Sequence, residues 1–154
     1  MEDNSNDKIA PLVREIQEAF ANVPYPGDDN ISAPTYDDEG TLEYFAGTKQ
    51  EGHSVEDLRY HSAALSFFTL DAFLYYLPAY VVAVLQDPEE ADIIYDSLIF
   101  HFNRAASGKI VHLLSPAQRQ AMIKYFEYCL SEEGEYLDCN LAHALDILKT
   151  GRKP

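Results

Sequence analysis

From Ala72 to Leu85 the chain runs for fourteen residues without a charge, and no other stretch is as dense in apolar and aromatic side chains. Its centre reads Phe73-Leu74-Tyr75-Tyr76-Leu77-Pro78-Ala79-Tyr80-Val81-Val82. A helix apolar on nearly every side is stable only when buried on several sides. The run falls short of the roughly 20 residues a membrane span requires, so it is the element that the others must pack around. Leu70, Phe73, Leu74, Leu77, Val81, Val84 and Leu85 share one helical face, with Tyr75, Tyr76 and Tyr80 off it. Pro78 has no N–H and crowds the carbonyl of Leu74, which predicts a kink or break near Tyr76-Leu77. Asp87-Pro88-Glu89-Glu90 opens the next helix, with an N-cap Asp, Pro at the first helical position and two acids over the positive end of the dipole. Ala91, Ile94, Tyr95, Leu98 and Phe102 give that helix a core face, and the short connection predicts an αα-hairpin over residues 69–102.

The flanking sequence is helical throughout. Ile9, Leu12, Val13, Ile16 and Phe20 mark one face of a first helix, placed to begin between Asp7 and Ala10 so that Pro11 falls in its first turn. Val23-Pro24-Tyr25-Pro26-Gly27 ends it. Residues 28–40 are acidic, polar and proline-containing, the pattern of a surface loop. Thr41–Ala46 is a short helix with Leu42 and Phe45 inward, and Ser54-Val55-Glu56-Asp57 starts another, putting Leu58, His61, Ala64 and Leu65 on one face. Thr69-Leu70-Asp71 starts the central helix in the same way. Asn103–Lys109 reads as a loop, while Ser115 and Gln118 occupy the two places of a capping box. Met122, Tyr125, Phe126, Cys129 and Leu130 form the following buried stripe, and Leu141, Ala144, Leu145 and Leu148 that of a last helix over residues 138–149. No sustained period-two alternation and no repeat occur. The expectation is one all-α domain spanning residues 1–154, with six to seven short helices around a Pro-broken hairpin.

Composition bears on function through charge. Twenty-six acidic against eleven basic residues give −15. Direct binding to nucleic acid needs phosphate-neutralising Lys and Arg, and anionic membranes are disfavoured for the same reason. The expected partner is a basic protein, met by electrostatic steering. With neither a basic start nor an apolar run at the N-terminus, no signal peptide is recognised and a cytoplasmic location is expected.

Catalytic and metal signals are weak. The histidines at 53, 61, 101, 112 and 143 have no zinc spacing, and no phosphate-binding or nucleophile-elbow motif occurs. Cys139 and His143 are i, i+4, but Glu135, Asp138 and Asp146 make their neighbourhood unsuited to a thiolate. Cys129 reads as a buried thiol. The expectation is a non-enzymatic chain with no cofactor and no metal. Eleven tyrosines without a tryptophan have two readings: core-rim packing, or a contact surface built from Tyr25, Tyr36, Tyr44, Tyr75, Tyr76 and Tyr80.

The string Ala64-Leu65-Ser66-Phe67-Phe68-Thr69-Leu70-Asp71-Ala72-Phe73-Leu74-Tyr75-Tyr76-Leu77-Pro78-Ala79-Tyr80 carries a resemblance. With Asp87-Pro88, Asp96-Ser97-Leu98-Ile99-Phe100-His101-Phe102 and Leu114-Ser115-Pro116-Ala117-Gln118-Arg119, it resembles a family of small bacterial proteins of unknown function. The likeness covers about half of the chain and excludes its first forty residues. It supplies no activity; what it implies is a compact cytoplasmic accessory protein, with an immunity role as the expectation for some members.

Together these features lead to an acidic protein-binding module, an immunity or antitoxin-type inhibitor of a basic toxin domain. Between Asp28 and Asp57 nine acids face one base, so the expected contact residues are Asp28, Asp29, Tyr36, Asp37, Asp38, Glu39 and Glu43. Two alternatives stand beside it. One is a nucleic-acid mimic with its carboxylates along an extended face. The other is a small-ligand protein or enzyme with a pocket near Pro78 formed by Tyr76, Tyr80 and His101.

Overall fold

The computed structural model describes residues 4–32, 40–103, 107–132 and 139–150, and every regular element among them is helical. Among them there is no strand; one isolated antiparallel bridge joins Ser32 to Phe68. The all-α expectation holds, with ten α-helices and one 3-10 turn among the described residues in place of about six to seven helices. The contacts fall into two units, residues 20–97 and residues 1–19 with 98–154, the boundaries lying near the end of one helix and inside another.

The unit of residues 20–97 is built on α5 (Leu70–Gln86). Thr69 caps it, its hydroxyl accepting from the Ala72 N–H at 3.0 Å. Of the expected kink or break near Tyr76-Leu77, the break is absent: α5 runs through Pro78 as one helix. Pro78 deprives the Leu74 carbonyl of its helical donor, but its ring is itself buried, so packing holds the helical path across the missing bond. The buried residues cover most of the circumference, leaving Asp71, Tyr75, Ala79, Val82 and Gln86 on a less buried side; they include Phe73, Leu77, Val81, Val84 and Leu85 as expected, while Leu74 is half-buried. They also include Tyr76 and Tyr80, both fully buried, whereas Leu70 is 38% exposed.

Before α5 come a 3-10 turn (Asp28–Asn30), α2 (Thr41–Phe45), α3 (Val55–Tyr60) and α4 (Ala64–Phe67). The segment expected as a surface loop is pinned at its start. The Thr69 hydroxyl donates to the Asn30 carbonyl at 2.8 Å, the Thr69 N–H to the Ile31 carbonyl at 3.1 Å, and Ile31 is fully buried. In α2 the inward residues are Thr41 and Phe45 rather than Leu42 and Phe45, Leu42 being 43% exposed. Ser54 caps α3 as its sequence indicates, accepting from the Asp57 N–H at 3.1 Å. Leu58 is the buried residue of α3, which packs against α5 and α6 (Pro88–Ala91).

Asp87 caps α6 by accepting from the Glu90 N–H at 3.2 Å. The second arm of the expected hairpin then differs from the sequence reading. It is interrupted at Asp92, whose φ is 46°, before α7 (Ile93–Asn103). Aspartate is among the few residues that visit positive φ, and here its carboxylate meets Arg59 of α3 at 3.1 Å.

The other unit holds most of α1 (Asn4–Phe20), the end of α7, α8 (Ser107–Leu113), α9 (Pro116–Glu132) and α10 (Cys139–Thr150). α1 starts before the expected Asp7–Ala10, so Pro11 lies inside it rather than in its first turn. Residues 107–109, read as loop, belong to α8. The capping box of α9 is complete: the Gln118 N–H donates to the Ser115 hydroxyl at 3.1 Å, and the Ser115 N–H to Gln118 Oε1 at 2.9 Å. Met122, Tyr125, Phe126 and Cys129 are buried, as are Leu141, Ala144, Leu145 and Leu148 of α10. α10 packs on α9 and α8, with Lys149–Glu127 at 3.0 Å, and Lys124 of α9 pairs with Glu15 of α1 at 2.9 Å.

Candidate functional site

Charge divides between the units far less evenly than residues do. Residues 20–97 hold fifteen acids and two bases, a net of −13, while the remaining residues hold eleven acids and nine bases, a net of −2. Among the described residues of the acidic unit, the ion pair found is Arg59–Asp92. Asp28, Asp29, Glu43, Glu51, Glu56 and Asp57 are all exposed.

Beneath these acids lies a tyrosine framework. Gly47, at φ 78°, turns the chain from α2 into residues 48–54, and α5 tyrosines hold that stretch by its backbone. Tyr76 donates to the Phe45 carbonyl (3.0 Å) or the Thr48 carbonyl (3.1 Å), and its oxygen lies 2.9 Å from the Thr48 hydroxyl. Tyr75 accepts from the Gln50 N–H at 3.1 Å, and Tyr80 donates to the His61 carbonyl at 2.7 Å. Burial pushes the Tyr76 phenol up to about 12 and that of Tyr80 well above its ordinary value, so both remain protonated donors.

An aromatic row crosses from this framework to the surface. The Tyr44 ring is stacked on His61, with centroids 4.4 Å apart and planes at 26°. His61 meets Tyr60 edge-on at 4.9 Å and 71°. Tyr60, the last residue of α3, is 82% exposed. At the inner end, the Tyr44 hydroxyl lies 2.8 Å from His53 Nδ1, and His53 Nε2 lies 2.8 Å from the Lys49 carbonyl. A carbonyl only accepts, so Nε2 carries the proton; in neutral His53 the other nitrogen accepts from Tyr44. The Asp57 carboxylate also faces the Tyr44 hydroxyl, and burial first, then Asp57, raises that phenol. His61 is held below its usual range by desolvation, which Asp57 partly opposes.

The expected contact residues distribute as follows. Asp28 and Asp29 form the 3-10 turn, where the Tyr25 hydroxyl donates to Asp28 and accepts from the Gly47 N–H at 2.6 Å. This chain of bonds ties the turn to the end of α2, the helix that exposes Glu43. Tyr36, Asp37, Asp38 and Glu39 lie outside the described residues. Of the pocket trio, Tyr76 and Tyr80 are internal struts of the acidic unit, and His101 belongs to the other, in the last turn of α7. Tyr60, His61 and His53 were not singled out from sequence. The usable signal was phase: Tyr60 stands two residues after inward Leu58, which turns it to the opposite side of α3.

Among the described residues, no group of three or more His, Cys, Asp or Glu is arranged to hold a metal, and no helix is long and apolar enough to cross a membrane. A family model described as a family of unknown function, DUF6714, matches residues 9–145. The match extends into the first forty residues, where the sequence showed no familiar pattern. No curated protein and no solved structure matches the chain.

Proposed function

The chain belongs to the DUF6714 family of unknown function, and from that premise we propose that it is a non-enzymatic binding module whose acidic unit docks a basic protein. The observation that carries this proposal is the gathering of −13 of the −15 charges into residues 20–97. A surplus that served solubility alone has no reason to collect in one unit; a partner-steering field does. The most concrete form is an immunity or antitoxin-type inhibitor acting in the cytoplasm on a basic toxin domain. Asp28, Asp29 and Glu43 supply contacts on the described surface, and Tyr36, Asp37, Asp38 and Glu39 extend them.

The test is affinity capture from the native host with the wild-type chain and with an Asp28→Lys, Asp29→Lys, Glu43→Lys variant. The wild type retains a basic protein that elutes with rising salt, and the variant loses it. Expressing the captured protein alone slows growth of a test host, and co-expression of the wild type restores it. A captured set no more basic than the host proteome, or retention unchanged by charge reversal, overturns the proposal. Competition of the captured protein with duplex DNA identifies the nucleic-acid-mimic form instead.

A further inference from the structure

We infer that the outer face of α3 is the anchor of this surface, and that its occupant is an arginine side chain of the basic partner, laid on the Tyr60 ring and reaching the Glu56 carboxylate. This inference rests on the acidic-module proposal and adds the contact that gives it specificity.

Tyr60 contributes little to folding. At 82% exposure most of its ring faces water, although α3 buries Leu58 two residues earlier. The ring is nevertheless braced from behind, edge-on to His61, which lies flat on Tyr44. A held, exposed aromatic ring supplies contact area at low entropic cost, the property of tyrosine at binding hot spots. Glu56 is exposed and stands four residues before Tyr60, hence on the same side of the helix. The face therefore combines a π surface with a carboxylate one turn away. Guanidinium satisfies both together, stacking on a ring while donating in a planar fork to a carboxylate, whereas an ammonium is a strongly hydrated point charge.

The single arginine of residues 20–97 does not fill this place. Arg59 is adjacent in sequence, but its guanidinium is drawn to Asp92 at 3.1 Å, and Asp92 is presented by the positive-φ break between α6 and α7. The field of the surrounding unit supplies charge complementarity to an incoming cation.

Two nine-residue peptides, alternating Arg with Gly or Lys with Gly, serve as probes, with binding followed through the Tyr60 ring and Glu56 side-chain NMR signals at low salt. The wild type prefers the arginine peptide, and both signals shift in saturable fashion. Tyr60→Ala lowers affinity for that peptide about two- to fivefold, the range of an exposed cation–π contact, and abolishes the preference over lysine. Glu56→Gln also weakens it, and Tyr60→Phe retains the preference. Arg59→Gln leaves the preference in place, which separates the face from its neighbouring ion pair. Equal affinity for the two peptides, or a preference that survives Tyr60→Ala, overturns the anchor while leaving the acidic module standing. Failure of both peptides to bind overturns the module itself, and the anchor with it.

Discussion

His61 is the residue at which the chemistry of the acidic unit is most exposed to a simple measurement. Its ring is stacked on Tyr44 and edge-on to Tyr60, its backbone carbonyl accepts from Tyr80, and Asp57 is the charged group that acts on it. Desolvation lowers its pKa in the fold below the ordinary value near 6.5, despite the opposing pull of Asp57. The sign follows from linkage. Well above that value the imidazole is neutral folded and unfolded, and contributes nothing. As pH falls through the unfolded value the unfolded chain takes up the proton first, so stability is lost, and the loss levels off once pH passes below the folded value. Urea midpoints measured from pH 8 to pH 5 should therefore fall more steeply for the wild type than for His61→Phe, which keeps a ring against Tyr44. Asp57→Asn should steepen the wild-type slope, because the group that favours imidazolium is gone. Parallel profiles for wild type and His61→Phe would remove His61 from the account. Nothing in the sequence pointed to this arrangement: Tyr44 and His61 are seventeen positions apart and meet where α5 tyrosines hold the intervening backbone.

At the scale of the element, α5 shows a local rule outweighed by packing. Proline inside a helix costs roughly 3 kcal/mol relative to alanine, yet α5 passes Pro78 without interruption. The Pro78→Ala variant regains that propensity and the donor for the Leu74 carbonyl. Against this stand the two ring methylenes removed from a buried site, about 0.8 kcal/mol each, and about 0.4–1 kcal/mol from a looser unfolded chain. The balance favours alanine by up to about 1 kcal/mol, so the urea midpoint should rise slightly; a clear fall would mean that the ring fills space the fold cannot close. The same contrast explains which elements were readable. The helix starts at Ser54, Thr69, Asp87 and Ser115 are made by side chains bonding backbone within three residues, so their signal is local and survives in sequence. The continuity of α5, the break at Asp92 and the burial of Tyr76 and Tyr80 depend on distant partners: the surroundings of Pro78, Arg59, Phe45 and His61. Their residues were visible, but the contacts that decide them were not.

For the molecule as a whole, the division of charge has a consequence that does not depend on any partner. Residues 20–97 carry −13 and the rest −2, so self-repulsion strains the first unit far more than the second. Surface charges separated by more than a Debye length, about 10 Å at 0.1 M salt, are largely screened. Raising sodium chloride from 10 mM to 300 mM should therefore stabilise the acidic unit selectively. Hydrogen exchange reports this unit by unit, because local openings have their own free energies. Amides of α5 should exchange more slowly by on the order of tenfold at the higher salt, and those of α9 by much less. Uniform slowing across α5 and α9 would indicate a single cooperative opening. No change in either would mean that the acids are already too far apart to repel, and a field that weak could not steer a basic partner. The experiment on the free chain thus bears on the premise of the binding proposal: the same unneutralised carboxylates that burden residues 20–97 in isolation would be relieved by the cations of a partner.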